Sequence, residues 1–296
     1  MDISKIESCS QAYIQNLPNQ SKAQLALFNA MWGIMARTSA QSALTSFTPN
    51  VARLENDLRE GLPFMSDCPI EVDAQSLADV VGLLTSCLVE SGVYQEEICD
   101  ALRAIDMRML IATSDMDLAS VNPEQYLNSL VEIMSNYGFD GSHVTVLVGL
   151  VSFGLRALQE SAASTMVKSV DKSLFDSAHS LSCPVCGGRP TLAILTRQKN
   201  ASATGRKLAC LQCGTEWEFD RIRCPHCGTD DVHKLGFRTL KSDNAHRIDY
   251  CENCGNYIRT AVVETASSPY SIDVEDCVMA ALDSYADEDS NQAKTQ

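Results

Sequence analysis

A chain of 296 residues with 45% hydrophobic and 21% charged side chains has the composition of a globular protein, long enough for two domains and a large core. Its net charge of −15 is unevenly spread: residues 1–182 carry 10 basic and 22 acidic side chains, residues 183–265 carry 12 and 9, and the segment from 266 onward carries −6. Direct nucleic-acid binding needs a surplus of Lys and Arg to displace counterions, so this balance counts against it.

The start of the chain, Met1-Asp2-Ile3-Ser4-Lys5-Ile6-Glu7, has neither a basic stretch nor an apolar run, and no secretory signal is expected from it. Leu25, Phe28, Trp32 and Met35 recur at helical steps, as do Leu77, Val80, Val81, Leu84 and Leu88. Asn122-Pro123-Glu124 is a helix start, with Asn as cap and Pro at the first helical position, and Gly138 should close that helix. Breaks are expected near Thr48-Pro49-Asn50, Gly61-Leu62-Pro63 and Gly141-Ser142. The longest apolar stretch, Val144 to Leu158, is interrupted by Arg156 and reads as a buried core helix too short to span a bilayer. Residues 1–180 are therefore expected to form an α-helical domain, and the protein to be cytoplasmic, where clustered thiols bind metal rather than form disulfides.

After residue 182 the pattern changes. Four Cys-x-x-Cys-Gly knuckles occur, at Cys183/Cys186, Cys210/Cys213, Cys224/Cys227 and Cys251/Cys254, with spacers of 23, 10 and 23 residues, so the first four cysteines recur 41 residues later. Two residues between cysteines let one tight turn aim both sulfurs at the same ion, and two such turns joined by a hairpin complete a tetrahedron. The glycine after each pair can take positive φ and turn backbone N–H groups towards the sulfurs. This assigns Cys183, Cys186, Cys210 and Cys213 to a first site, and Cys224, Cys227, Cys251 and Cys254 to a second; interleaved pairing is the minor alternative. Each all-sulfur site suits zinc or iron, one ion per site. A thioredoxin-like redox pair needs one such motif, not four in register, and covalent haem needs His where all four knuckles have Gly.

Strands are expected at Thr191–Leu195, Arg206–Cys210 and Thr215–Ile222, then at Val232–Phe237, Arg247–Cys251 and Tyr257–Glu264, with hairpin loops at Asn200–Gly205 and Ser242–Asn244. In the third strand Trp217 and Phe219 alternate with acidic residues, as in a strand with one buried face. A helix from about Ile272 to Tyr285 should pack its face of Val274, Cys277, Val278, Ala281, Leu282 and Tyr285 on the body. The expected divisions are a helical domain (1–180), a first four-cysteine ribbon (181–219), a second (220–265), and a C-terminal helix with acidic tail (266–296). The fold class is α+β. His226 is expected to face solvent, and Cys9, Cys68, Cys87, Cys99 and Cys277 to be packing residues. No phosphate-binding glycine loop or acid–base constellation stands out, so nothing argues for an enzyme.

Over residues from about 183 to 283 the sequence resembles the formate dehydrogenase accessory proteins called FdhE. The resemblance rests on the opening Cys-Pro-Val-Cys-Gly knuckle and on Cys213-Gly214-Thr215-Glu216-Trp217 followed by Arg221 and Cys224. It extends to Cys251-x-x-Cys254-Gly255-x-Tyr257-x-Arg259 and to the run Ile272-Asp273-Val274-Glu275-Asp276 leading to Leu282-Asp283. The resemblance implies a cytoplasmic, non-enzymatic maturation factor that binds the catalytic subunit of a formate dehydrogenase, with paired rubredoxin-like sites for iron or zinc. Trp217, Arg221, Tyr257 and Arg259 are the candidates for its partner face. Two other readings are carried: a rubredoxin-like iron electron carrier or redox sensor, and a zinc-ribbon protein-interaction adaptor.

Overall fold

The computed structural model describes residues 1–15, 17–42, 47–136, 138–197, 205–239, 243–264, 269–280 and 282–283. The described helices before the first knuckle are α1 (Ile3–Ile14), α2 (Asn19–Ser42), α3 (Val51–Glu60), α4 (Phe64–Asp67), α5 (Ala74–Glu90), α6 (Glu96–Ala104), α7 (Met107–Ala112), α8 (Met116–Val121), α9 (Pro123–Asn136), α10 (Gly141–Ser169) and α11 (Lys172–Ser177). Strands β1 (Leu192–Thr196), β2 (Arg206–Ala209), β3 (Glu216–Phe219), β4 (Leu235–Thr239), β5 (His246–Cys251) and β6 (Tyr257–Val263) follow, and α12 (Ile272–Met279) comes last. Helices followed by a sheet and a closing helix make the α+β class expected from the sequence.

Local sequence explains where the helices begin and end. Asn50, Asp73, Asn122 and Asp140 each accept a backbone N–H of the first turn they cap. Gly61 closes α3 in the left-handed region at φ 73°, and its N–H returns to the carbonyls of Asp57 and Leu58. Gly138, at φ 80°, ends the turn after α9, where Phe139 N–H reaches back to the Met134 carbonyl. Leu25, Trp32 and Met35 of α2 and all five stripe residues of α5 are buried in one core around α10, while Phe28 is half-buried against it.

α10 departs from expectation. Its 29 residues carry the helix well past Leu158, and by length and apolar composition alone it could cross a bilayer. Arg156 does not break it, because the guanidinium is neutralised inside the protein. Nε donates to Glu160 Oε2 at 2.9 Å, and Nη1 and Nη2 donate to Asp273 at 2.6 and 3.3 Å. Burial opposes the charge on Arg156, but Asp273 and Glu160 outweigh it and hold the arginine more firmly protonated than usual.

The six strands form one sheet in the order β3-β2-β1-β6-β5-β4. Each four-cysteine module supplies an antiparallel three-stranded piece, and parallel pairing of β1 with β6, Leu192 opposite Arg259, joins the two. β3 alternates as expected, with Trp217 and Phe219 buried. It stops at Phe219, however, where the chain turns towards the third knuckle and leaves Ile222 exposed. Val232 likewise lies in a short 3₁₀ turn before β4 rather than in the strand. Most of the expected loop Asn200–Gly205, Ser242 of the second loop, Ala281 and Tyr285 lie outside the described residues.

α12 is clamped between the two halves. Val274 sits in the helical core, while Ile272, Met279 and Leu282 pack on the sheet. The acids between them are buried too. Glu275 accepts the Tyr13 hydroxyl from α1 at 3.0 Å and lies 2.9 Å from His246 Nε2 on β5, whose Nδ1 is 2.6 Å from Asp243.

Two predictions test this clamp. Arg156→Met strands Asp273 as an unpaired buried charge and should cost about 3–5 kcal/mol, the usual penalty for breaking one side of a buried pair. Chemical denaturation measures it, and adding Asp273→Leu should recover part of the loss; a double variant no better than the single one refutes the coupling. Burial disfavours the His246 cation, yet Glu275 and Asp243 outweigh it and raise its pKa above the ordinary 6.5. A pKa raised by folding gives stability that is complete below about pH 6.5 and is lost as pH rises through the raised value. His246→Gln should flatten that fall in the pH dependence of the melting temperature, and an unchanged slope would contradict the assignment.

Candidate metal centres

Each knuckle repeats one hydrogen-bond pattern. The first cysteine N–H donates to the carbonyl five residues on (Gly188, Thr215, Thr229, Asn256), and the knuckle glycine N–H returns to that cysteine's carbonyl, all at 2.8–3.0 Å. The glycines Gly187, Gly214, Gly228 and Gly255 all lie at φ 71–76°, the region that a side chain would strain. Four copies of one turn therefore deliver eight sulfurs in defined directions.

The sulfurs gather in two sets, Cys183, Cys186, Cys210 and Cys213 in one and Cys224, Cys227, Cys251 and Cys254 in the other, all within 4.8 Å of one another in each set. The nearest pairs are 3.5 and 3.6 Å apart in the first and 3.8 Å in the second. A tetrahedron with metal–sulfur bonds of about 2.3 Å has edges of about 3.8 Å, whereas a disulfide needs about 2.05 Å. The spacing fits a four-sulfur metal site. Thiolates fit the first set poorly without a cation: burial pushes Cys183 well up, and hydrogen bonding with Cys183 and Cys210 pushes Cys186 up. A divalent ion would offset four buried negative sulfurs. Both sets could thus hold a metal ion that cross-links its own hairpin.

The two sites differ in surroundings. All four sulfurs of the first set are buried, whereas in the second Cys227 is exposed and Cys254 half-exposed. The first knuckle is tied to the helices: Phe64 and Met65 N–H groups at the start of α4 donate to the carbonyls of Pro184 and Val185, both at 2.9 Å. Gln212 in the second knuckle accepts the Ser152 hydroxyl of α10 at 2.8 Å. Its counterpart 41 residues later, Asn253, instead donates to Cys227 Sγ at 3.5 Å. Polar positions at the knuckle tips were the available signal for these contacts, and the sequence reading did not use it.

The remaining candidates scatter. Trp217 is buried, with its indole N–H donating to the Ser180 carbonyl at 2.8 Å. Arg259 pairs with Asp276, and the Tyr257 hydroxyl donates to Asp283 at 3.0 Å, so both grip the α12 end of the chain. Arg221 is exposed. His226 does not face solvent as expected; it is half-buried, and its Nε2 donates to the Tyr257 carbonyl at 3.0 Å.

Loaded with two equivalents of metal, the chain should release them to a chelator in two phases, the exposed second site first. Cys251→Ser should abolish the fast phase and Cys210→Ser the slow one. Cys87→Ser, half-buried on α5, should leave metal content intact; losing an equivalent there would break the ligand assignment.

Residues 182–221 match a family model described as "FdhE, central domain". A protein named "Protein FdhE homolog" from Shewanella baltica is 24% identical over 200 residues, covering 65% of this chain and 61% of that protein. A namesake from Aquifex aeolicus is 27% identical over 107 residues, 36% of this chain and 37% of its own length. The chain thus spans less than two thirds of the length of these curated relatives. In fold, the crystal structure of the FdhE protein from Pseudomonas aeruginosa superposes with TM-score 0.57 at 15% identity, covering 97% of this chain and 91% of that one. Over the cysteine modules this chain is thus similar in sequence to proteins named FdhE homolog, and along nearly its whole length it is similar in fold to a crystallised FdhE protein.

Proposed function

We propose that this protein is a non-enzymatic accessory factor that binds the catalytic subunit of a formate dehydrogenase in the cytoplasm and assists its maturation, with one zinc or iron ion in each four-sulfur site. The observation that carries this reading is the closure of those sites. A catalytic ion keeps an open position for water or substrate, whereas four cysteine sulfurs fill a tetrahedron. The sulfurs therefore serve to rigidify, and the first set does so at the joint between helices and sheet, among Leu54, Phe64, Met166 and Trp217. A sheet stapled to a helical body in this way is a preformed platform for a protein partner. The partner class follows from the resemblance to the formate dehydrogenase accessory proteins, which the relatives' shared name FdhE supports.

Anaerobic affinity purification of the chain from its native host, with co-purifying proteins identified by mass spectrometry, tests the proposal. The catalytic subunit of a formate dehydrogenase should be recovered, and should be lost when Cys210 or Cys251 is changed to Ser. Recovery of polymerase or ribosomal proteins in its place would overturn the reading and favour an adaptor.

A further inference from the structure

In the cysteine modules, the exposed large apolar side chains among the described residues are Ile222, Val232 and Phe237, at 54, 56 and 60% exposure. All three line one groove of about 430 Å³, between the turn that joins the modules and the outermost strand β4. Three apolar side chains converging on one concavity differ from scattered surface hydrophobics, which need no explanation. Cys224 and Cys251 belong to its wall, so the second metal site fixes its shape.

The charge of this groove runs against that of the chain. Its lining carries Arg206, Arg221, Arg223 and Arg247 against one acid, Asp249, in a protein of net charge −15. Asp249 is shared by Arg206 at 3.3 Å and Arg247 at 2.7 Å. Arg223 uses Asp220, and Arg247 stacks on Phe237 with 4.5 Å to the ring centroid. Arg206 is 5% exposed, and its buried Nε has no acceptor among the described residues. An arginine-rich groove with Arg221 exposed at its edge complements a carboxylate, and its apolar walls complement an aliphatic or aromatic side chain. A nucleic acid would supply anions but would meet the repulsion of the surrounding negative charge.

We infer that the groove between Arg221–Arg223 and β4 is the docking surface for a partner polypeptide, and that it seats a short segment carrying acidic side chains beside an apolar one. The inference deepens the accessory-factor reading and rests on it for the identity of the partner. The groove itself can be tested separately.

The experiment uses the full chain with two metal equivalents. A phage-displayed library of 12-residue peptides is selected on it, and binding of the enriched peptides is compared for the parent, Phe237→Glu, Arg221→Glu and, as control, Leu83→Glu on the exposed face of α5. Metal content and melting temperature are checked for each variant. Acid-plus-apolar peptides should be enriched and should bind the Phe237→Glu and Arg221→Glu proteins at least tenfold more weakly, with Leu83→Glu unchanged. No enrichment, peptides without acids, equal binding by the groove variants, or preference for a 20-nucleotide DNA strand would each overturn the inference. The same variants are then assayed with the purified formate dehydrogenase catalytic subunit. Binding to the parent that both groove variants retain in full also overturns it. If acidic peptides seat in the groove but the subunit does not bind the parent, the docking surface stands and the formate dehydrogenase reading falls.

Discussion

Four buried sulfurs at the meeting point of helices and sheet set the terms for this structure. Cys183, Cys186, Cys210 and Cys213 lie in the same core as Leu54, Phe64, Met65 and Phe175, with no water to stabilise them as thiolates. Either they stay protonated, losing the geometry that draws two hairpin ends together, or a cation joins them. Much of the adjacent packing depends on that cation, because Val185 and the backbone of Pro184 meet α4 only while the knuckle keeps its shape. The second module repeats the chemistry with only Cys224 and Cys251 buried. Its metal shapes a surface rather than a joint.

A second set of polar links runs through α12. Arg156 reaches it from α10, Tyr13 from α1, His246 from β5 and Arg259 from β6. Each is a charged or hydrogen-bonded contact between parts far apart in sequence, and together they hold one short helix in one register between two apolar surfaces. Such contacts add less net stability than their number suggests, because every buried charge was first taken out of water. What they exclude is every other way of laying α12 down.

Much of this was legible in the chain. The 41-residue repeat set the ligand grouping, since spacing between cysteines is covalent geometry and needs no tertiary information. The stripes of α2 and α5, the Asn122 cap and the alternation of β3 are local patterns as well. Contacts made at a distance were not legible. Arg156 looked like an interruption because its partner Asp273 is 117 residues away, and Asp273 and Glu275 fall outside the apolar face expected of a helix that is in fact covered on both sides. The difference between the modules was written in the knuckle tips, Val185 and Leu211 against His226 and Glu252, but tips alone do not say which surface they meet. Trp217, Tyr257 and Arg259 stood out for their residue types, which suit an inner scaffold as well as an outer face.

The joining of the two modules also orders events in time. Within a module the ligands are close in sequence, Cys183 to Cys213 spanning 30 residues, so a metal can close each hairpin as soon as the chain supplies it. The β1–β6 ladder pairs Leu192 with Arg259, and cannot form until the whole second module exists. Loop-closure entropy makes such non-local pairing slow, and the interval leaves one flank of β1 unpaired. A chain emerging from the ribosome would thus pass through a state with its first metal site loaded, that flank open and the core arginine still lacking its aspartate. Among the described elements, α12 is the one whose arrival ends this state, and until then the open strand is exposed to other chains.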